Sequence, residues 1–296
     1  MNPQIVEDTF AEAFRSYFCR MIITAATPEL AVAAASSSTG FATSALGGGA
    51  EAGIEADVLE KDTPDGRPGV VVQYHVWKKD PKKLYEVLLN RVGHCVLTAP
   101  TAAAFDATPK PLAKIDLGAK LRFFGDGYER QGKIKDRDVV IIPIMGGEFV
   151  VEKEVGMSKG ISGGNLWLMG SSPAAAINAA KAAVKAVHGA GKVITPFPAG
   201  ICSSGSKIGA RKYKFLANST NDPYCPTLKG QLPGSKVPDG VNSIMEIVIN
   251  GTSLASVRKA MGAGIRAAET VEGIVRISAG NFGGKLGKFQ IRLRDV

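Results

Sequence analysis

The spacing of apolar positions changes along the chain from strand-like to helix-like and back, and the same order of changes occurs twice. After a mixed polar and aromatic lead over residues 9–19, Met21-Ile22-Ile23-Thr24-Ala25-Ala26 predicts a strand. Thr27-Pro28 then opens an Ala-rich helix to about Ser38, with Pro in the first turn, where its missing N–H costs nothing. A Gly- and Ala-rich stretch, Gly40 to Gly53, leads into a second strand, and Thr63–Gly69 is a turn cluster. Val70–Val76 is a third strand. Asp80-Pro81 predicts the cap of a helix carrying Leu84, Val87, Leu88 and Val92 on one face, and Cys95–Ala99 predicts a fourth strand closed by Pro100.

The second half repeats this order. Leu166–Met169 reads as a strand, and Ser172-Pro173 opens an Ala-rich helix to about His188, so Pro28 and Pro173 hold the same place in the two halves. A Gly/Ser-rich segment from Pro196 to Gly209 precedes the strand Ser243–Ile249. A helix with Leu254, Val257, Met261 and Ile265 on one face follows, and then the strand Ile274–Ile277. Two copies of βαββαβ predict an α+β fold: two ferredoxin-like lobes related by an internal pseudo-repeat, over residues 1–160 and 161–296. Two β-rich or irregular insertions stand outside the repeat. Residues 101–160 contain apparent short strands at Lys120–Phe124, Val139–Ile144 and Glu148–Glu152, and Tyr213–Pro238 is rich in Pro, Asn and Gly.

One charge lies in the wrong place for this pattern. In the apolar run Ser243–Ile249, ended by the Asn250-Gly251 turn signal, Glu246 shares a face with Ile244 and Val248. A buried carboxylate must find a partner or give up its charge, so Glu246 is either a structural ion-pair member or an acid with a raised pKa. The repeat puts it on the third strand of the second lobe, where Val72 or Gln73 stands in the first.

Composition narrows the chemistry. The net charge of +9 favours anionic partners, yet it is spread over the chain and not gathered into a basic tail. The four cysteines lie far apart with no C-x-x-C pair, and neither a signal peptide nor a run long enough to span a bilayer is present, so a cytoplasmic protein with no membrane partner is expected. The three histidines, His75, His94 and His188, have no neighbours at metal-ligand spacing, and no metal is expected. No nucleophile–His–Asp set can be picked out. Gly280–Gly287 fails the Walker pattern, with Ala279 and Leu286 at positions that need Gly and Ser or Thr, but its glycines, Asn281 and Lys285 predict a loop whose backbone approaches a ligand. An RNA-binding sheet would carry paired aromatics on its central strands; only Tyr74 is available, so no nucleic acid is expected.

Several stretches together resemble formylmethanofuran:tetrahydromethanopterin formyltransferase. They are Glu7–Phe14, Thr39-Gly40-Phe41, Ala50–Ile54, Thr63–Gly69, Phe123–Tyr128, Ser219–Asp222, Glu246–Gly251 and Ile277–Gly287, and the resemblance runs nearly from end to end. It implies two ferredoxin-like lobes and direct transfer of a formyl group, in a ternary complex, between the methanofuran amine and N5 of tetrahydromethanopterin. Both are anionic coenzyme substrates, and no metal or prosthetic group is implied. It implies a homo-oligomer, commonly a tetramer, or, in a bacterial methylotroph, a subunit of a formyltransferase/hydrolase complex. The family's glutamate falls on Glu246 as the catalytic residue, and Thr98, Ser219, Asn221, Asn281 and Lys285 are candidates for binding substrate. Ala199 and Cys202 stand where the family has Gly and Val. Two other readings remain open on the residues alone: a non-catalytic scaffold subunit of such a complex, and a nucleic-acid-binding ferredoxin-like protein.

Overall fold

The first apolar run forms a long strand, β1 (Phe10–Thr24), whose alternate side chains serve two faces. Cys19, Met21 and Ile23 point into the helix-covered core, while Phe18, Arg20 and Ile22 point the other way. The computed structural model describes residues 1–77, 81–205 and 207–296, and the chain divides into two compact units. One is Ser16–Gly160; the other is Met1–Arg15 with Ile161–Val296. The fold is α+β with mixed sheet pairing, and no helix among the described residues is long and apolar enough to cross a membrane.

In Ser16–Gly160, β1 leads into α1 (Pro28–Thr39), where the Thr27 side chain caps the Leu30 N–H and Ala34 and Ala35 allow close packing. A short helical turn, α2 (Ala45–Gly48), precedes β2 (Glu51–Val58) and β3 (Gly69–Trp77). Then come α3 (Pro81–Arg91) and β4 (Ala103–Asp106); the expected cap at Asp80 lies outside the described residues. β1 pairs antiparallel with both β3 and β4, and β2 with β3, so the order is β4-β1-β3-β2. The Cys95–Ala99 stretch is not a strand. Buried Leu84, Leu88, Val92 and Val96 fall at a spacing of four, so helical packing continues past Arg91 as a π-helical turn, Val92–Val96, and the fourth strand starts only at Ala103.

The connection that follows contains β5 (Ala113–Asp116), α4 (Gly118–Leu121), and an antiparallel meander of β6 (Arg130–Ile134), β7 (Arg137–Ile144) and β8 (Gly147–Glu152). Lys120–Phe124, expected as a strand, is helical: buried Leu117 and Leu121 fix one turn of helix, and Arg122–Gly125 tightens it into a 3₁₀ turn. The expected strands at 139–144 and 148–152 lie within β7 and β8. The start of β9 (Glu154–Gly170) pairs with β5.

In the other unit, Leu166–Met169 belongs to the end of β9. The chain continues through α5 (Pro173–Gly189), β10 (Val193–Ile194), a small hairpin of β11 (Lys207–Ile208) and β12 (Asn218–Ser219), then β13 (Ser243–Gly251), α6 (Leu254–Ala268), β14 (Ile274–Ser278) and β15 (Phe289–Arg292). β9 is flanked on both sides, giving the order β14-β9-β13-β10, while β15 pairs with Phe10–Ala13 of β1. The alanine stripe Ala176, Ala179, Ala180 and Ala183 brings α5 close over Leu166, Ile247, Ile249 and the α6 residues Val257, Met261 and Ile265. Gly264 of α6 is part of that closeness: a Cβ there would stand 3.1 Å from both Leu166 and Val187.

Candidate active site

Strand parity divides β13. Ile247 and Ile249 pack beneath the two helices, and Glu246 points to the opposite face. Antiparallel register places Glu246 directly across from Trp167 of β9, and the indole Nε1 donates to Glu246 Oε1 at 3.1 Å. Glu246 is only 5% exposed. The face it shares carries an apolar cluster of Trp167, Met169, Val237 and Val241, with Ile244, Tyr224 and Val275 against it. The Tyr224 ring meets the indole edge-on, with centroids 4.5 Å apart. When Pro28 is aligned with Pro173, Trp167 corresponds to Ile22, whose cross-strand partner is Val71. The counterpart of Glu246 is therefore Val71 and not Val72 or Gln73, so the carboxyl is a feature of one half alone.

The edge of β13 beside the glutamate is covered by the Gly/Ser-rich segment. The Cys202 N–H donates to the Glu246 carbonyl at 2.8 Å, and the Glu246 N–H donates to the Cys202 carbonyl at 2.9 Å. Burial pushes the Cys202 thiol up, so it stays protonated and makes a poor nucleophile. Ala199, just upstream, has φ of 52°, in the left-handed region, which costs a residue with a Cβ about 1–2 kcal/mol.

The substrate-binding candidates occupy four different settings. Asn221 lies in the same insertion as Tyr224, its N–H bonded to the Ser204 carbonyl at 3.3 Å and its carbonyl accepting the Tyr224 N–H at 2.9 Å. Ser219 sits in the small hairpin and donates to the Gly209 carbonyl at 2.6 Å. Beyond it Asp222 ties down Lys207 and Arg211, and its bond to Lys207 above all holds its carboxyl below the usual range. Asn281 and Lys285 are both exposed; Asn281 ties the loop to β1 by donating to the Phe10 carbonyl at 3.1 Å, and it accepts the Gly283 N–H at 3.1 Å. Thr98 belongs to the Ser16–Gly160 unit and donates to the His94 carbonyl at 2.9 Å.

The Gly280–Gly287 loop differs from the expected ligand cradle. Its N–H groups converge on an internal anion, the carboxylate of Glu12, which accepts from Phe282, Gly284, Leu286 and Gly287. Burial works to raise the Glu12 pKa, but the four backbone N–H bonds outweigh it and hold the carboxyl below the usual range. Neither Glu12 nor Trp167 stands out in the sequence. Their partners are far away along the chain, and only the strand register and the fold of the loop bring them in. Among the described residues no group of three or more His, Cys, Asp or Glu is placed to hold a metal.

Burial on an apolar face favours the neutral form of the Glu246 carboxyl, while the indole N–H it accepts favours the ionised one. Comparison with known proteins places the chain in a family. Residues 1–144 match the model for formylmethanofuran-tetrahydromethanopterin formyltransferase, and residues 147–296 match that for its proximal lobe. The formylmethanofuran–tetrahydromethanopterin formyltransferase of Methanothermus fervidus is 50% identical over 296 residues, covering 100% of this chain and 99% of that one. The solved formyltransferase from Methanosarcina barkeri superposes with a TM-score of 0.93 at 48% identity, covering 100% and 99% of the two chains. A chain of the formyltransferase/hydrolase complex from Methylorubrum extorquens, crystallised with methylofuran, gives a TM-score of 0.91 at 43% identity, covering 98% and 96%. The chain belongs to the formylmethanofuran–tetrahydromethanopterin formyltransferase family.

Proposed function

We infer that this chain transfers a formyl group between the amine of methanofuran and N5 of tetrahydromethanopterin in one-carbon metabolism, directly and with both coenzymes bound. Family membership over the full length supports the reaction. The observation that carries the mechanism is Glu246, buried at 5% exposure on an apolar face and bonded to an indole N–H.

In the transfer, the N5 lone pair attacks the formamide carbon, a C–N bond forms, and the carbonyl oxygen takes up negative charge. Glu246, in the neutral form that burial on an apolar face favours, donates to that oxygen. Collapse breaks the bond to the methanofuran nitrogen, and the proton lost from N5 ends on that leaving amine. An ionised carboxylate at this place would repel the oxyanion, so the neutral form is the working one. Asn221 and Ser219, on the insertion that covers the Glu246 face, and Lys285, exposed on its loop, are candidates for coenzyme contacts; Asn281 is engaged with the Phe10 carbonyl of β1, and Thr98 with the His94 carbonyl.

Each unit reads as a ferredoxin-like lobe, a view supported by the matching orders β4-β1-β3-β2 and β14-β9-β13-β10. We place the reaction in the cytoplasm, in keeping with four free thiols. The working form is a homo-oligomer such as a tetramer, or a subunit in a hydrolase complex like that of the Methylorubrum relative. Steady-state assay of the purified chain tests the reading. Transfer is expected only when both coenzymes are present, with intersecting double-reciprocal lines. Parallel lines would exclude direct transfer, and binding of both coenzymes without any transfer would favour a scaffold role.

A further inference from the structure

The Gly280–Gly287 loop is folded as an anion nest, and the chain supplies its own anion. Glu12, 1% exposed on β1, accepts from Phe282 at 2.7 Å and Gly284 at 2.5 Å on Oε1, and from Leu286 at 3.1 Å and Gly287 at 2.5 Å on Oε2. Gly283 and Gly284 adopt φ of 70° and 77°, and a Cβ on Gly287 would stand 2.6 Å from the Glu12 Cβ. Loop and carboxylate therefore fit each other closely. Charge-assisted bonds of this kind are about twice as strong as neutral ones, and four of them fix the loop's path.

That path matters at its first residue. Gly280 is gripped by Asn165, donating its N–H to Oδ1 at 2.6 Å and accepting from Nδ2 at 3.0 Å. A side chain on Gly280 would lie 2.7 Å from Trp167 Cζ2 and 3.3 Å from Nε1. The start of the loop is thus one wall of the slot that holds the indole, and the indole is the donor to Glu246.

We propose that Glu12 is a positioning residue: its carboxylate fills the nest of the Gly280–Gly287 loop and thereby holds Gly280 against the Trp167 indole that bonds Glu246. It touches neither substrate nor reacting atoms. The inference rests on the reading of Glu246 as the group at the reaction centre and adds the device that keeps it aligned. It also joins two separate motifs, Glu7–Phe14 and Ile277–Gly287, into one working part.

The test uses the full chain with Trp77, the other of its two tryptophans, changed to Phe so that emission reports Trp167 alone. Glu12→Ala is expected to lower kcat about 10- to 100-fold with KM changed much less, as expected for a misplacement of about 1 Å at a catalytic group. The Trp167 emission should shift at the same time. Added acetate, at constant ionic strength, should fill the vacated nest and restore kcat and emission along one saturation curve. Gly280→Ala, with Glu12 intact, should give the same kcat loss and emission change without response to acetate, and it serves alone if Glu12→Ala fails to fold. Unchanged kcat in a folded Glu12→Ala or in Gly280→Ala overturns the proposal, as does a loss of kcat with Trp167 emission unmoved. Failure of the Glu246 reading shows separately, as near wild-type turnover by Glu246→Ala, and leaves the acetate-dependent emission of Trp167 in place.

Discussion

Glu246→Ala is expected to lower kcat for formyl transfer about 1000-fold, and Glu246→Gln about 100-fold, the range seen when one oxyanion donor is removed. The two variants separate two roles. Alanine removes every donor and leaves the Trp167 N–H without its Oε1 acceptor, a buried loss of about 1–3 kcal/mol in stability. Glutamine fills the same space, can still accept from Trp167, and presents an amide N–H to the oxyanion, but it has no acidic proton to share as the tetrahedral species forms. Intermediate activity of Glu246→Gln is thus the mark of a neutral acid. Both variants should unfold cooperatively with unchanged m-values, so that the loss of rate is not a loss of fold. Near wild-type turnover by Glu246→Ala would take the residue out of the chemistry.

Glu55→Ala is expected to destabilise the chain by about 3–5 kcal/mol, as loss of one member of a buried ion pair does. The Glu55 side chain is 4% exposed and is held bidentately by Arg20, Nε to Oε2 at 2.7 Å and Nη2 to Oε1 at 2.9 Å. It also anchors a chain of polar groups. Gln73 Nε2 donates to Oε2 at 2.6 Å, which leaves Gln73 Oε1 to accept from His75 Nε2 at 2.8 Å. His75 Nδ1 is then the acceptor for the Ser16 hydroxyl at 3.0 Å, and the ring is neutral because burial pushes its pKa down to about 3. Removing Glu55 strips Arg20 of its counter-charge and frees the order of every proton along this chain. Against a total stability of roughly 5–15 kcal/mol, a cost of that size shows plainly as a fall in the urea midpoint. An Arg20→Met, Glu55→Leu double variant should regain much of the loss, since it leaves no buried charge. A cost below about 1 kcal/mol for Glu55→Ala would mean that the pair behaves as a surface bridge.

The short apolar, β-branched runs Met21–Thr24, Val70–Val76 and Ser243–Ile249 were enough to read both repeats, because each is bounded by turn or cap residues whose chemistry is local. Cys95–Ala99 departs from the strand that its apolar run predicts, for a physical reason. A short apolar run carries no period of its own, and here Val92 and Val96 continue the spacing of Leu84 and Leu88 as a π-helical turn. Lys120–Phe124 failed in the same way, since Leu117 and Leu121 form one helical turn. At the site, Glu246 was legible as a charge on an apolar strand. Trp167 was not, because register is set by the whole sheet. The Gly280–Gly287 loop was legible as one whose backbone approaches a ligand, but not as a nest filled from within: Glu12 lies some 270 residues away, and no local signal ties the two.

The mechanism requires Glu246 to be a neutral carboxylic acid in the working enzyme, and infrared difference spectra of wild type against Glu246→Gln report that proton. At the pH of the transfer assay, a protonated carboxyl C=O band should be present in wild type and missing from the variant. A lost carboxylate band with no C=O band would show Glu246 ionised and contradict the mechanism.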